Sequence, residues 1–144
     1  MKVCVAGPRD YFNYDILCEA IKASGFDITE VVSGGAKGVD QMGERWAKEN
    51  GIKCTIFEAE WDNFKLPGCI IKEKVYGGKR KKYNAGAGFY RNKQMAEYMD
   101  AAIVININTP GSTDMIKVGK EAGKPVFDYN PENYATDEDY GYVF

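Results

Sequence analysis

Short apolar runs alternate with amphipathic segments five times along this chain, and that rhythm restricts its possible folds more than any single motif does. Val3-Cys4-Val5-Ala6 is an apolar run stopped by Gly7-Pro8, the pattern of a strand entering a turn. Asn13 is placed to cap a helix whose Ile16, Leu17, Ala20 and Ile21 share one face, and Ser24-Gly25 ends it. Residues 29–33 predict a second strand, stopped by Gly34-Gly35. A helix over 39–50 follows, with Met42, Trp46 and Ala47 inward and Gly51 just past its end. Residues 54–57 predict a third strand. The stretch 60–87 reads as an irregular insertion holding the basic cluster Lys79-Arg80-Lys81-Lys82. A helix over 89–99, the most apolar strand over 102–107, a helix over 112–122 closed by Gly123 and a strand over 125–127 complete the pattern. Parallel strands need helical crossovers, so this order predicts an α/β fold: three Rossmann-like α/β/α layers around a mainly parallel sheet of about five strands.

At 144 residues the chain suits one domain and is short for two. We expect that domain over residues 1–129, followed by an acidic, Tyr-rich tail over 130–144. The tail reads either as a covering segment or as disordered, with Tyr129, Tyr134, Tyr140 and Tyr142 as its aromatic groups. No apolar run approaches the roughly 18–20 residues of a membrane helix, so no membrane partner is expected. The apolar opening ends at Gly7-Pro8-Arg9-Asp10, too soon for a secretory core, and is read as a strand. Four scattered cysteines without a C-x-x-C pair predict free thiols in a reducing compartment, hence a cytoplasmic protein (the host cytoplasm if a phage encodes it). There is no histidine, which removes imidazole catalysis; neither a metal nor a cofactor is expected. A net charge of −2 gives no global footprint for nucleic acid.

In an open parallel sheet, ligands bind beyond the carboxyl ends of the strands. Three polar, Gly-containing turns fall at such ends: Gly7-Pro8-Arg9-Asp10-Tyr11, Ser33-Gly34-Gly35-Ala36-Lys37-Gly38-Val39-Asp40, and Asn106 through Gly111-Ser112-Thr113-Asp114. Glycine lets a ligand approach backbone amides, and the N-terminus of the following helix suits phosphate. Tight turns and helix capping would account for the same residues, with Ser112 or Thr113 as a cap and Asp40 favouring its helix start. The block is neither a Walker A loop nor a G-x-G-x-x-G fingerprint. Arg91-Asn92 is read as opening a helix after Ala85-Gly86-Ala87-Gly88. A cation there opposes the helix dipole, which points to phosphate or carboxylate pairing. The expected ligand-binding set is therefore Gly7, Pro8, Arg9, Tyr11, Ser33, Gly34, Gly35, Ala36, Gly38, Asp40, Arg91, Asn92, Asn106, Gly111, Ser112 and Thr113.

These motifs, together with Trp61-Asp62, Ala87-Gly88-Phe89-Tyr90-Arg91-Asn92 and Gly111-Ser112-Thr113-Asp114-Met115-Ile116, resemble the SLOG superfamily. That Rossmann-like group contains the cytokinin-activating LOG phosphoribohydrolases and the DNA-processing protein DprA. The match is nearest the small stand-alone bacterial and phage branch related to YspA and YpsA. The resemblance implies a nucleotide or nucleotide-derived ligand over the Gly-rich loops, and a homo-oligomer. LOG enzymes cleave the N-glycosidic bond of a nucleoside monophosphate with an arginine and a glutamate. Arg91 matches that arginine, while Asp114 stands where the glutamate would, one methylene shorter. Arg91 and Asp114 are thus the catalytic candidates if the chain is an enzyme. Three functions follow in order: sensing or sequestering a nucleotide, LOG-like N-glycoside hydrolysis, and DprA-like single-stranded nucleic-acid binding through Lys79–Lys82 and its neighbours Tyr76 and Tyr83.

Overall fold

The computed structural model describes residues 1–131. Five strands, β1 (Lys2–Ala6), β2 (Glu30–Ser33), β3 (Lys53–Ile56), β6 (Ala101–Ile105) and β7 (Val126–Tyr129), form one parallel sheet in the order β3-β2-β1-β6-β7. Four helices, α1 (Tyr14–Ser24), α2 (Val39–Glu49), α3 (Ala87–Tyr98) and α4 (Pro110–Glu121), cover it. Alternation along each strand decides the layering. Val3 and Val5 of β1, with Val31, Ala101, Ile103 and Ile105, face Leu17, Ala20 and Ile21 of α1 and Val39, Met42 and Ala47 of α2. Cys4 and Ala6, with Val32, Ala102 and Val104, face Met95 and Ala96 of α3 and Met115 of α4. The expected three-layer α/β/α fold is therefore observed, with its core split by the sheet into two apolar layers.

Helix starts follow local chemistry. Asn13 caps α1 as expected, its side chain accepting from the Ile16 N–H at 3.2 Å, and Gly25 closes the helix in the left-handed region. Two starts differ from expectation. Helix α3 begins at Ala87, so Arg91 lies a full turn inside the helix rather than at its opening. Helix α4 begins at Pro110, whose fixed φ suits the first helical position; Thr109 occupies the cap, and Ser112 and Thr113 lie within the first turn instead of capping it.

The stretch expected to be irregular contains a β-hairpin, β4 (Ile71–Tyr76) and β5 (Lys79–Asn84), standing apart from the main sheet. Tyr129, the last residue of the expected domain and named with the tyrosines of the tail, ends β7 and is buried in the core. Tyr134, Tyr140, Tyr142 and the expected covering or disordered tail lie outside the described residues. All four cysteines are free; Cys4 is buried and the other three half-buried. No helix of the described residues is long and apolar enough to cross a membrane.

Candidate functional site

Strands β1 and β6 are neighbours, but their connections leave toward opposite edges of the sheet: β1 leads through α1 to β2, and β6 through α4 to β7. That divergence is the switch point at which a parallel sheet leaves a crevice. A cavity of about 520 Å3 opens there. Its walls are Gly7, Pro8, Arg9 and Asp10 after β1, Ala36 and Asp40 beside α2, Trp61, the first half of α3, and Thr109 to Ser112 at the start of α4.

Of the expected ligand-binding residues, the cavity gathers Gly7, Pro8, Arg9, Ala36, Asp40, Arg91, Asn92, Gly111 and Ser112. The remaining expected residues do not line it. Tyr11 packs on the α1/α2 core layer. Ser33 is a buried organiser: its hydroxyl donates to Glu44 at 2.6 Å and accepts the Gly35 N–H at 3.1 Å. Gly34 is buried behind the wall, Gly35 is exposed beside Ile56, and Gly38 is pinned against the β1 turn. Gly38 has φ 74°, and a Cβ there would collide with the Pro8 carbonyl oxygen, so only glycine lets the two loops meet. Asn106 bridges to Asp128 at 3.0 Å and accepts the Asn108 N–H at 2.9 Å, which shapes the turn after β6. Thr113 is exposed on α4. Asp114 is half-buried between α3 and α4, accepting a hydrogen bond from the Asn92 amide at 3.0 Å.

Arg91 is 8% exposed, an unusual position for a guanidinium without a carboxylate in salt-bridge contact. One of its terminal nitrogens donates to the Gly34 carbonyl at 2.6 Å, and Nε donates to Asn92 at 3.2 Å. Asp40, 6% exposed, approaches the same glycine from the other side and accepts the Ala36 N–H at 3.3 Å. A Cβ on Gly34 would lie 2.7 Å from the Asp40 Oδ2 and 3.0 Å from the Arg91 Cζ, so the absent side chain leaves room for both groups. Burial pushes the Asp40 carboxyl up to about 6; Arg91, the Ala36 N–H and Arg9 pull it down, and Glu44 adds to the rise. Burial likewise lowers the Arg91 guanidinium, opposed by Asp40 and reinforced by the nearby charge of Arg9. Burial raises the Cys4 thiol behind this pair, and the thiol stays neutral.

One expected feature changes character here. The amides of the Ser33–Asp40 loop were the candidate phosphate cradle, yet Asp40 takes the Ala36 N–H and Ser33 takes that of Gly35. The loop is closed on itself by its own side chains. The start of α4 is different: Pro110, Gly111 and Ser112 line the cavity, and its first turn contains no acidic residue. Its unpaired N–H groups and positive dipole end suit an anion. Trp61, quoted in the sequence for a Trp-Asp motif but not for contact, lines the cavity with Arg9 stacked 5.2 Å from its ring centroid. Its position after β3, on the same rim as the other turns, was the available signal. Among the described residues no group of three or more His, Cys, Asp or Glu side chains is arranged to hold a metal ion.

The sequence model of the YspA, cpYpsA-related SLOG family matches residues 1–64. No curated protein sequence matches the chain. Among solved structures, the chain resembles DNA processing protein A (DprA) from Streptococcus pneumoniae, with a TM-score of 0.62 and 20% identity. The likeness covers 96% of this chain and 52% of that one, so this chain spans about half the length of the DprA chain. At that identity the likeness establishes the fold. Residues 1–64, carrying β1, the Ser33–Asp40 loop and Trp61, are thus similar to the YspA, cpYpsA-related SLOG family, and the chain has a Rossmann-like fold of the kind found in DprA.

Proposed function

We propose that the chain binds a phosphate-bearing nucleotide or nucleotide-derived ligand, which it senses or sequesters, in the cavity between the ends of β1 and β6. SLOG kinship supports a nucleotide-related role in general. The observation that carries the specific reading is the convergence of Arg9, Arg91 and the acid-free N-terminus of α4 on one cavity. Two guanidiniums and a positive helix end with only one buried carboxylate between them form an anion site. Trp61 supplies an aromatic surface for a base or ribose. The natural setting of this reading is the cytoplasm, and the working unit is a homo-oligomer; native mass spectrometry reports the subunit number together with any co-purified nucleotide.

Titration calorimetry with the common nucleoside monophosphates tests the proposal. Binding of at least one of them is expected, weakened roughly 10- to 150-fold in R9A, since a charge-assisted hydrogen bond contributes about 1.5–3 kcal/mol. Among the described residues the Arg9 side chain makes no hydrogen bond or salt bridge, so the variant is expected to keep the fold. Absence of binding by every monophosphate at millimolar concentration would overturn the reading.

N-glycoside hydrolysis is the second reading, and one observation favours a modified form of it. Asp114 is engaged by Asn92 outside the cavity wall, whereas Asp40 lines the cavity with its carboxyl raised to about 6. A group poised there can give or take a proton near neutral pH. Free base released from a bound monophosphate by the wild type, and not by D40N, would establish cleavage; release lost only in D114N would restore the Arg91–Asp114 pairing.

A further inference from the structure

The β4–β5 hairpin carries six Lys or Arg residues and one acid, Glu73, in a chain whose totals are 19 basic and 21 acidic residues. Acid outnumbers base in the rest of the chain, so this hairpin is its concentrated positive surface. Cross-strand register sorts that charge by face. On one face Glu73 lies opposite Lys82, and its carboxylate pairs with Arg80 at 3.0 Å, so one acid there offsets one of two cations. On the other face Lys72 opposes Tyr83, Lys74 opposes Lys81 and Tyr76 opposes Lys79. Like charges directly opposite one another destabilise a ladder, and Lys74 with Lys81 is such a pair. Of the hairpin residues that line a cavity against the body of the protein, all but Lys82 belong to this second face, which carries no acid.

Lys74, Tyr76, Lys81 and Tyr83 line a second cavity, of about 630 Å3, that shares Arg9, Trp61 and Ala85 with the first. Asp62 is the one acidic side chain in its wall. Two aromatic rings meet here edge-on, Trp61 and Tyr83, with centroids 6.5 Å apart, and Lys74 stands 5.1 Å from the Tyr83 centroid. Rings interleaved with ammonium and guanidinium groups fit bases or riboses joined by phosphates. Among the described residues the basic surface extends over one hairpin, which suits a short ligand rather than a polymer that would need a continuous positive track.

We propose that the ligand is of the dinucleotide class, two nucleoside units joined through phosphate: one unit occupies the cleft, the second lies on the Lys74–Lys81 face of β4–β5, and Arg9 and Trp61 stand between them. This rests on the cleft being a nucleotide site and adds the size of the ligand.

The experiment is a titration series on the whole protein. It uses 5′-monophosphates of the four ribonucleosides, 5′-phosphorylated and cyclic dinucleotides of the same bases, and a 5′-phosphorylated decamer of mixed sequence, each against wild type and K74E/K81E. Both substituted lysines are exposed, and matching circular dichroism and melting curves establish that the variant is folded. The expected result is at least one dinucleotide binding tenfold or more tighter than the best monophosphate, an advantage lost in K74E/K81E, with no further gain for the decamer. Equal affinity for monophosphates and dinucleotides would overturn this proposal and leave the nucleotide site standing. An affinity that keeps rising to the decamer would overturn it in favour of single-stranded nucleic acid. No binding by any of these probes would overturn both.

Discussion

Asp40 concentrates the site's chemistry in one carboxyl. Its burial cost exceeds the help it receives from Arg91, the Ala36 N–H and Arg9, which is why it titrates at about 6 rather than at its ordinary 3.8. Between those two values the native state holds more protons than the unfolded chain, so this group's contribution to stability is lost as pH rises through the window. Its full size is on the order of 3 kcal/mol, about 1.4 kcal/mol for each pH unit. Urea unfolding of wild type and D40N between pH 4 and pH 7 should show that decline in the wild type and not in the variant. Ligand binding responds in the same direction. Protonating Asp40 removes the negative charge beside two guanidiniums, so wild-type affinity for a monophosphate, relative to D40N, should rise roughly three- to tenfold from pH 7.5 to pH 5.5. The comparison cancels the ligand's own titration, and identical pH profiles for the two proteins would remove Asp40 from the anion site. Gly34 holds the room that this arrangement needs. G34A should leave the sheet folded, displace Arg91 or Asp40, and weaken monophosphate binding about tenfold, because small misplacements in a site are costly. The sequence identified Asp40 through its place at the start of α2, and Arg91 through an expected place at the opening of α3, which in fact begins a turn earlier. It could not reveal that Asp114 turns to Asn92, because a motif fixes the helix a residue sits on and leaves its partner to the packing of α3 against α4.

At the scale of elements, the hairpin is the least self-sufficient part of the structure. An isolated two-stranded ribbon is marginal in water, and most of β4 and β5 is exposed. Asn84 supplies the attachment. Fully buried, it accepts the Ile70 and Gly86 N–H groups at 3.0 and 2.9 Å and donates its amide to the Asn63 carbonyl at 2.9 Å, while its own N–H reaches the Trp61 carbonyl at 2.5 Å. N84A leaves those three groups without their partner, at about 1–3 kcal/mol for the buried Gly86 N–H and less for the other two. The expected outcome is faster tryptic cleavage within the Lys-rich strands and loss of any dinucleotide preference, with the main sheet still melting cooperatively. Unchanged proteolysis would mean that other contacts hold the hairpin. The turn was present in the sequence: Gly77-Gly78 separates two six-residue runs, and both glycines adopt positive φ, as a two-residue hairpin loop demands. What hid the strands is their composition. Lysines on both faces leave no apolar–polar alternation to read, because this ribbon has no core to cover. Asn84 was invisible for a related reason, since nothing local marks an asparagine whose partners lie 14 and 21 residues away.

At the scale of the molecule, each wall of the cleft comes from a different part of the fold. The β1 turn, the region before α2, α3 and the start of α4 all contribute, so no single segment contains a complete site. The parallel sheet was legible because β1 and β6 are nearly uninterrupted apolar runs and each crossover helix carries one apolar face. The order of the strands, and hence the switch point, depends on which runs pair, a property of the assembled sheet. A ligand seated at this junction binds the folded arrangement and has no equivalent in the unfolded chain. Its binding must therefore appear as stability: at a free concentration one hundred times its dissociation constant, unfolding should cost about 2.7 kcal/mol more than in its absence. Thermal denaturation against increasing monophosphate or dinucleotide should give a midpoint that climbs with the logarithm of ligand concentration. R9A should follow the same curve displaced to higher ligand if, as proposed, Arg9 contacts the ligand without holding the fold. Should R9A instead melt lower than wild type when neither has ligand, and rise in parallel with it at every concentration, Arg9 would be a structural residue, and the anion site would have to be rebuilt around Arg91 and the start of α4.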